Sequence, residues 1–469
     1  MLRSTRIFMI LVCLLCGLSM LALAGKPPSG SIPMTVTATP DGISCTGIGA
    51  CEGGDRFNIA DFADLGITTF RIWGSSAESE PVDDDGVFGA PTIAQIKANP
   101  GIIPWAVWDA NMKSTSFRGH GVSFYNMLLA LKNAGIKPVV SLVNVNNGDQ
   151  PAWMQQLNPP DSEADWNEWW EHVFATVYYL NVMNNLDVHN WQVLNEPDNA
   201  GQGWGGSLAD YIIFTQKTHD AIKYVYDTYL PGKTFKLHVA QSVHANEWVQ
   251  QSMMANDNII DVYDWHNYGS GSSGEAVTVH GWMNQYDMDG QHEEFYCSEW
   301  GTYRESYDNY GNACGKWGGQ LMKNSLNDAG HVEGSAIFSM YEWGTMDGLI
   351  NDDGSKTAMY YVMRLLNRAI NGGKPQYLIN WMPADTNIAI ASKDTATNTL
   401  YVTIRNAGTG VKAQVIDLNV SAFKTTGTVT FRRVAEGYPD VVTGTASLNN
   451  GHVIVDMPAS AIVQVIIPL

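Results

Sequence analysis

The feature that most limits the fold of this chain is a regular alternation of short apolar runs with longer amphipathic runs, from about residue 40 to about residue 372. Such alternation is typical of a parallel sheet wrapped by helices. Eight runs are strand candidates, the number that closes a (β/α)8 barrel. They lie at 43–47, 68–73, 138–145, 190–194, 235–240, 262–266, 294–298 and 335–341. The sequence therefore predicts an α/β fold, a TIM barrel over residues 41–375.

A change of pattern near residue 387 predicts a second domain. From there to the C terminus, short alternating runs are separated by Gly, Asn and Asp turns. This pattern is typical of an all-β sandwich, so we expect a C-terminal β-sandwich domain over residues 376–469. Residues 25–40 form a linker with a strand candidate at 33–39, which we expect to join the sandwich. The stretch 75–118 predicts a loop insertion between the second and third barrel strands.

The first 24 residues have the pattern of an export signal. Arg3 and Arg6 form a basic start, residues 7–15 are apolar, and Ala22 and Ala24 mark a small-residue cleavage site. We therefore expect a signal peptide at 1–24 and a secreted protein, extracellular or periplasmic. Lipid anchoring at a leader cysteine is the weaker alternative, because Leu15 before Cys16 is not small. No later segment is long and apolar enough for a membrane span.

The charge and the aromatic content indicate which partners the chain suits. The net charge is −20, which disfavours nucleic acid and anionic membranes as partners and also fits a simple solubility role. The chain has 16 Trp and 20 Tyr, which pack cores but also stack on sugar rings. The composition therefore favours a carbohydrate partner, and it does not indicate an oligomeric state.

Four cysteines follow the leader, and export makes disulfides plausible for them. Three connectivities are open, and the spacing favours the two local pairs, Cys45 with Cys51 and Cys297 with Cys314. The alternative is buried free thiols. No CxxC or HExxH spacing is present, so we expect no metal and no cofactor.

Two strand-end glutamates are the candidates for chemistry. The run 191–198 ends in Asn195-Glu196-Pro197, and Pro197 stops the strand because it cannot donate a ladder hydrogen bond. A second strand-like run ends at Glu299. Two carboxylates across one barrel mouth are the working parts of a glycoside hydrolase, one as acid and one as base or nucleophile. We assign Glu196 as acid/base and Glu299 as nucleophile.

Two other glutamates compete with Glu299 for this assignment. Glu294 begins its strand and should face the other end of the barrel. Glu342 ends the eighth strand and is the more serious rival.

The sequence resembles the clan A glycoside hydrolases, and within them it looks most like family 39 or a neighbour with an appended β-sandwich. The stretches that carry the resemblance are 191–198, 264–268, 298–301 and 348–354, and the pattern covers about residues 40–460. The resemblance implies a retaining mechanism, with the acid/base after strand four and the nucleophile ending strand seven. Our own strand count puts Glu196 fourth and Glu299 seventh.

The resemblance also implies substrate-binding roles. Asn195 would bond the 2-hydroxyl of the cleaved sugar, and Tyr268 would bond Glu299, with His266 in the same wall. Arg71 would face Glu299 and favour its ionised form by charge. Trp343 would be the stacking floor of the cleaved-sugar subsite. The alternatives are a salt bridge at the barrel bottom for Arg71, a core imidazole for His266 and ordinary packing for Trp343.

Two further residues are substrate-binding candidates from their positions alone. Asn144 follows strand three and either holds sugar hydroxyls or forms a turn. Trp204 lies in a Gly-rich loop after Glu196, where a flexible rim over a subsite is expected. The function hypothesis is a secreted retaining glycoside hydrolase that cleaves β-glycosidic bonds in a poly- or oligosaccharide. The alternatives are a non-catalytic carbohydrate-binding protein on the same scaffold and a transglycosylase with the same residues.

Overall fold

A computed structural model describes residues 28–44, 47–54, 56–74, 79–80, 89–115, 120–143, 159–199, 201, 204–268, 272–301, 307–342, 347–381, 387–407 and 411–469. Four predictions fall outside these ranges. They concern the signal peptide at 1–24, Cys45, Asn144 and Trp343.

Eight parallel strands close into a barrel, as the alternation predicts. Each strand pairs in parallel with the next along the chain, and the last pairs with the first. After β1 (Ile32–Pro40), which lies outside the barrel, the barrel strands are β2 (Gly47–Cys51), β3 (Thr69–Trp73), β4 (Lys137–Ser141), β5 (Asn190–Gln192), β6 (Lys236–Ser242), β7 (Val262–Tyr268), β8 (Glu294–Gly301) and β9 (Gly334–Phe338).

The first barrel strand is the one that the sequence misplaced. It runs over Gly47–Cys51 rather than 43–47. Two of its five residues are glycines, and the neighbouring strand approaches one of them closely: a Cβ added at Gly49 would lie 2.2 Å from the Thr69 carbonyl oxygen. Gly-rich strands lack the β-branched signal from which strands are recognised, which accounts for the error.

Eleven α-helices within the described ranges connect or flank the strands. They are α1 (Ile59–Leu65), α2 (Ile93–Ala98), α3 (Trp105–Met112), α4 (Phe124–Ala134), α5 (Glu163–Val177), α6 (Leu208–Tyr229), α7 (Glu247–Asn256), α8 (Ser272–Tyr286), α9 (Tyr310–Asn312), α10 (Gly318–Asn324) and α11 (Ala358–Ile370). Short 3-10 turns lie at Pro100–Ile102 and Asp257–Ile259, and π-helical turns at Tyr178–Met183 and Ala313–Trp317. Within the described ranges, none of the helices combines the length and apolar character needed to cross a membrane.

Local sequence signals explain where these helices begin and end. Ser207 and Asp210 form a capping box at the start of α6, which satisfies otherwise unpaired N–H groups. Gly135 ends α4 in the left-handed conformation at φ 71°, which glycine adopts without the steric cost of a Cβ. Thr357 caps the start of α11, since its hydroxyl accepts from the Tyr360 N–H.

The insertion after β3 is partly helical, whereas the sequence predicted a loop. Its described part contains α2, a 3-10 turn and α3. Trp108 of α3 is fully buried and its ring lies 5.9 Å from that of His172 on α5. The Pro and Gly content of this stretch obscured the helices, which are short and bury only one or two side chains each.

The C-terminal part of the chain forms two antiparallel-rich sheets. One has the order β10-β1-β13-β16 and the other the order β11-β12-β17-β14-β15. The predicted strand at 33–39 is β1, which pairs antiparallel with β10 and parallel with β13. The bounds are β10 (Tyr377–Trp381), β11 (Asn387–Asp394), β12 (Thr399–Asn406), β13 (Gln414–Asn419), β14 (Gly427–Ala435), β15 (Tyr438–Leu448), β16 (His452–Met457) and β17 (Ala461–Pro468). Their facing apolar side chains form a core separate from that of the barrel.

A charge cluster joins the sandwich to the barrel. Asp440 of β15 is buried, and its carboxylate accepts hydrogen bonds from Arg364 at 2.8 Å and Arg368 at 3.0 Å, both on α11, and from Arg432 at 2.9 Å on β14. Burial alone would raise the pKa of Asp440, but the hydrogen bonds and charges of Arg368 and Arg432 lower it. The last helix of the barrel is thereby tied to the larger sheet.

The predicted Cys297–Cys314 disulfide is absent, and Cys51 is likewise a free thiol. Cys297 lies inside the barrel wall, where its thiol bonds the Glu299 carbonyl at 3.5 Å. Cys314 lies between the barrel and the sandwich, where its thiol contacts the Val434 carbonyl at 3.6 Å. The two cysteines are close in sequence but point into different buried environments, so local spacing was a poor guide.

Candidate active site

Glu196 and Glu299 meet at the carboxyl end of the barrel. Glu196 follows β5, the fourth barrel strand, and Glu299 lies near the end of β8, the seventh. Their side chains are 7% and 5% exposed. One carboxylate oxygen of each lies within 4.8 Å of the other and of a ring nitrogen of His266. Both carboxylates therefore lie at one mouth of the barrel.

Backbone geometry aims both glutamates at this point. Glu196 has φ 43°, a left-handed conformation that is costly for a residue with a Cβ and is found at functional sites. Its N–H donates to the Gln241 carbonyl at 3.0 Å, which anchors the turn. In β8 the register shifts at Ser298, so that Glu299 comes to lie beside His266. Bulges of this kind commonly redirect active-site side chains.

Glu196 is held by two side-chain hydrogen bonds. Its Oε1 pairs with His266 Nδ1 at 2.8 Å, and its Oε2 accepts from Asn199 Nδ2 at 2.8 Å. Burial favours a raised pKa, but the hydrogen bond and charge of His266, with smaller effects from Asn199 and Arg71, bring the pKa of Glu196 below its ordinary value. In the free protein this carboxyl is therefore ionised near neutral pH.

Glu299 is held by a cation and a phenol. Arg71 donates from Nη1 to one carboxylate oxygen, and the Tyr268 hydroxyl donates to the other. Burial and the adjacent Glu299 charge raise the pKa of Tyr268 well above its ordinary value, so the phenol stays a donor. His266 Nδ1 lies 3.5 Å from the same carboxylate.

Arg71 organises the site from inside the barrel. Its side chain is fully buried, and it donates to Asn195 Oδ1 at 2.7 Å and to Gln192 Oε1 at 2.7 Å in addition to Glu299. Because Asn195 uses its amide oxygen for Arg71, its amide nitrogen is the group that can donate elsewhere. Arg71 thus lies among the site residues rather than in a salt bridge at the barrel bottom.

His266 joins the two carboxylates. It is fully buried, and burial lowers its pKa, but the charges of Glu299 and Glu196 and the hydrogen bond to Glu196 raise it overall. Its Nε2 has no hydrogen-bond partner among the described residues. The proton of the His266–Glu196 pair therefore belongs mainly to His266 in the free protein. Such a donor set could also hold a metal, but Arg71 already supplies the positive charge beside Glu299.

The other predicted site residues divide into three groups. Trp204 is packed against α6, with its ring 5.3 Å from that of Phe214, so it is a buried side chain and not an exposed rim. Asn144 and Trp343 lie outside the described residues. The rivals of Glu299 are engaged elsewhere, Glu294 with Lys236 and Glu342 with the Asp352 N–H at 2.9 Å.

Three supporting residues had not been given a role from the sequence. Gln192 donates to Asp264 Oδ2 at 2.6 Å and so fixes the amide that faces Arg71. Asp264, fully buried, also accepts from the Ser298 N–H at 3.2 Å and so provides a hydrogen-bond acceptor for the residue at which the register of β8 shifts. Asn199 bonds Glu196. In the sequence, Gln192 and Asp264 stand out only as polar residues within apolar strands, and Asn199 only as a polar residue next to the Asn-Glu-Pro turn. Polarity alone does not show which side chain each of them bonds.

Comparison with known proteins gives relatives by structure only. No protein-family model matches the chain, and no curated protein sequence matches it. Among solved structures, a glucosidase from Croceicoccus marinus has a TM-score of 0.68 at 13% identity, covering 94% of this chain and 99% of its own. A GH39 β-xylosidase from Caulobacter crescentus and a GH30 endoxylanase from Clostridium papyrosolvens C71 each have a TM-score of 0.64 at 16% identity, covering 94% of this chain and 100% of their own. These likenesses show that the chain has the fold shared by clan A glycoside hydrolases of the GH30, GH39 and GH51 families.

Proposed function

We propose that this protein is a secreted retaining glycoside hydrolase that cleaves β-glycosidic bonds in a poly- or oligosaccharide. The observation that carries the proposal is the pair of buried glutamates at the ends of the fourth and seventh barrel strands, with oxygens within 4.8 Å. Retaining enzymes have their carboxyl groups about 5 to 5.5 Å apart, whereas inverting enzymes need about 6.5 to 9.5 Å to admit a water. Facing oxygens within 4.8 Å are compatible with the retaining arrangement, in which one carboxylate attacks directly.

The environments of the two glutamates support different roles. Glu299, paired with Arg71 and Tyr268, attacks the anomeric carbon as a carboxylate, while the bond from that carbon to the leaving oxygen breaks. Glu196 delivers a proton to the leaving oxygen, and then removes a proton from the water that releases the sugar from Glu299. Asn195, oriented by Arg71, donates its amide N–H to the 2-hydroxyl of the sugar.

The substrate class follows from the same site and from the fold. The printed names of the structural neighbours include xylosidases, xylanases, a glucosidase and an arabinofuranosidase. Two buried aromatic rings lie beside the residues that hold Glu299: Phe338 is 6.2 Å from the Tyr268 ring, and the Arg71 guanidinium is 5.6 Å from the Trp73 ring. Neutral β-linked sugars are therefore the first substrates to test, ahead of anionic polysaccharides that a net charge of −20 would repel.

The test is a product screen with the anomer recorded. The protein is incubated with plant, algal and bacterial polysaccharides and aryl β-glycosides, and products are identified by mass spectrometry and by NMR of the first-formed anomer. We expect retention, with Glu299→Gln lowering kcat at least about 10³-fold. Glu342→Gln and Glu294→Gln are matched controls, because they change the two rival glutamates by the same atom.

Four outcomes would contradict the proposal. An inverted first product would exclude the covalent step through Glu299. A larger loss in Glu342→Gln than in Glu299→Gln would move the nucleophile to the eighth strand. Binding of a glycan without cleavage, by a well-folded protein, would indicate a carbohydrate-binding barrel instead, and transfer of the sugar to a second sugar in place of water would indicate a transglycosylase.

A further inference from the structure

A second group of carboxylates lies at the end of the barrel opposite Glu196 and Glu299. Asp257 begins the 3-10 turn that leads from α7 into β7, and Asp289 and Glu293 lie in the connection from α8 into β8. Both connections run from a helix to the start of a strand, so they belong to the amino-terminal face of the barrel. In this fold that face contributes to stability rather than catalysis.

The three side chains converge on one point. One carboxylate oxygen from each of Asp257, Asp289 and Glu293 lies within 4.8 Å of the others. Asp257 is 1% exposed and Glu293 is 3% exposed, while Asp289 lies at the surface. The cluster is therefore buried on one side and open to solvent on the other, so that an ion can enter.

Glu293 points to a missing ligand. Its Oε2 is buried and has no hydrogen-bond partner among the described residues, and an oxygen of the same carboxylate lies within 4.8 Å of Asp257 and Asp289. A buried carboxylate oxygen without a donor is costly. None of the surrounding side chains in the described part of the cluster supplies a compensating positive charge.

The protein holds the cluster in place without help from an ion. Asp257 accepts from the Tyr263 hydroxyl at 2.5 Å through Oδ1 and from the Met288 N–H at 2.8 Å through Oδ2. Asp287 Oδ1 accepts from the Gly290 N–H at 2.6 Å, and Gly290 has φ 71°, which lets the loop turn back toward the strand. Asp289 accepts from the Gln291 N–H at 2.8 Å through Oδ1 and from the Gln291 side-chain amide at 3.2 Å through Oδ2. Protein donors thus hold Asp257 and Asp289 in place.

We propose that Asp257, Asp289 and Glu293 bind a calcium ion that clamps the two loops before the sixth and seventh barrel strands. All three donors are carboxylate oxygens, which suit hard cations and disfavour zinc or copper. Three carboxylates on irregular loops suit the flexible coordination of Ca²⁺ with six to eight oxygens better than the strict octahedron of Mg²⁺. The proposal stands independently of the proposed glycosidase activity.

The test measures calcium binding and thermal stability on the full protein. The protein is stripped with EDTA and titrated with CaCl₂ by calorimetry, and its Tm is measured with and without excess Ca²⁺. We expect one site, and a rise in Tm of about 3 to 6 °C once Ca²⁺ reaches a hundred times Kd. MgCl₂ at the same concentration should give a smaller rise.

Two variants and a matched control make the test specific. Glu293→Gln and Asp289→Asn should each weaken Ca²⁺ binding at least about tenfold and remove most of the Tm response. Asp289 is exposed, so its variant folds even if the change at Glu293 does not. Asp227→Asn, the same change at an exposed position of α6, should leave binding and the response intact. No heat of binding, an equal response to Mg²⁺, or an unchanged response in Asp289→Asn would each overturn the calcium assignment.

Discussion

At the scale of single residues, the hydrogen bond between His266 and Glu196 determines which of the two side chains carries the proton that they share. The pKa of His266 is raised above its ordinary 6.5 and that of Glu196 is lowered below 4.5. In the free protein the proton is therefore on His266, 2.8 Å from the carboxylate that donates it in the proposed mechanism. We infer that the pair titrates as a unit, with an upper apparent pKa set by His266.

The same pair makes folding stability depend on pH. His266 has a raised pKa in the folded state, so its contribution is complete below 6.5 and is lost as the pH rises through its folded value. Glu196 has a lowered pKa, so its contribution is complete above 4.5 and is lost as the pH falls through its folded value. Their joint contribution is greatest between these limits.

We predict that His266→Gln moves the alkaline limb of kcat/KM to lower pH, by about one unit, and lowers the maximum rate. Glutamine can form a hydrogen bond with Glu196 but cannot be protonated. In the variant the proton must therefore be held by Glu196 alone, whose pKa is lower than that of His266. The measurement is the pH profile on a substrate found in the product screen. Asn199→Ala is the matched control, because it removes the other hydrogen bond to Glu196 without removing a titrating group. An alkaline limb that moves equally in both variants would mean that His266 acts only as a hydrogen-bond donor.

At the scale of elements, seven of the barrel strands overlap their predicted positions because burial on both faces makes them continuous apolar runs. β2 was predicted at the wrong position because close packing against β3 selects glycine in this strand, and glycine gives no strand signal. Gly49 faces the Thr69 backbone at a distance that admits no side chain, and only the folded barrel reveals that constraint. The helices of the insertion were missed for a related reason, since they are too short to show a clear period.

We predict that Gly49→Ala destabilises the protein by about 2 to 4 kcal/mol, because its Cβ would overlap the Thr69 carbonyl and force β2 and β3 apart. Urea unfolding followed by fluorescence measures the change. Gly281→Ala on α8 is the control: its added Cβ meets nothing within 4 Å, and alanine favours helix, so stability should stay equal or rise by up to about 1 kcal/mol. Equal stability of Gly49→Ala and the wild type would show that the barrel can widen locally at little cost.

At the scale of the whole molecule, the sequence predicted where residues lie along the barrel strands better than it predicted which side chains contact each other. Glu196 and Glu299 could be found because parallel strands bring their carboxyl ends to one face, whatever the details of packing. The contacts of Gln192 and Asp264 inside the barrel depend on which neighbouring strand each residue faces, which a single sequence does not specify. The sequence also failed to predict that Cys314 is a free thiol. Its position between barrel and sandwich depends on how the two domains pack together, which a single sequence does not specify either.

That docking rests on Asp440, which accepts from three arginines and has φ 52°, a conformation that aspartate and asparagine tolerate. We predict that Asp440→Asn destabilises the protein by about 2 to 4 kcal/mol, because asparagine keeps the backbone but leaves the arginines beside a neutral amide. Differential scanning calorimetry should then resolve the sandwich from the barrel as a separate, earlier transition, where the wild type shows one.

At acid pH the wild type should also begin to unfold in two transitions, with the sandwich unfolding before the barrel. The lowered pKa of Asp440 means that its contribution is present above 3.8, the ordinary value, and is lost as the pH falls through its folded value. Asp456→Asn, an exposed position of β16, controls for the loss of one negative charge from the sandwich and should leave the calorimetric trace unchanged. If Asp440→Asn also unfolds in one transition at the wild-type Tm, apolar packing between α11 and the sandwich, rather than this charge cluster, joins the two domains.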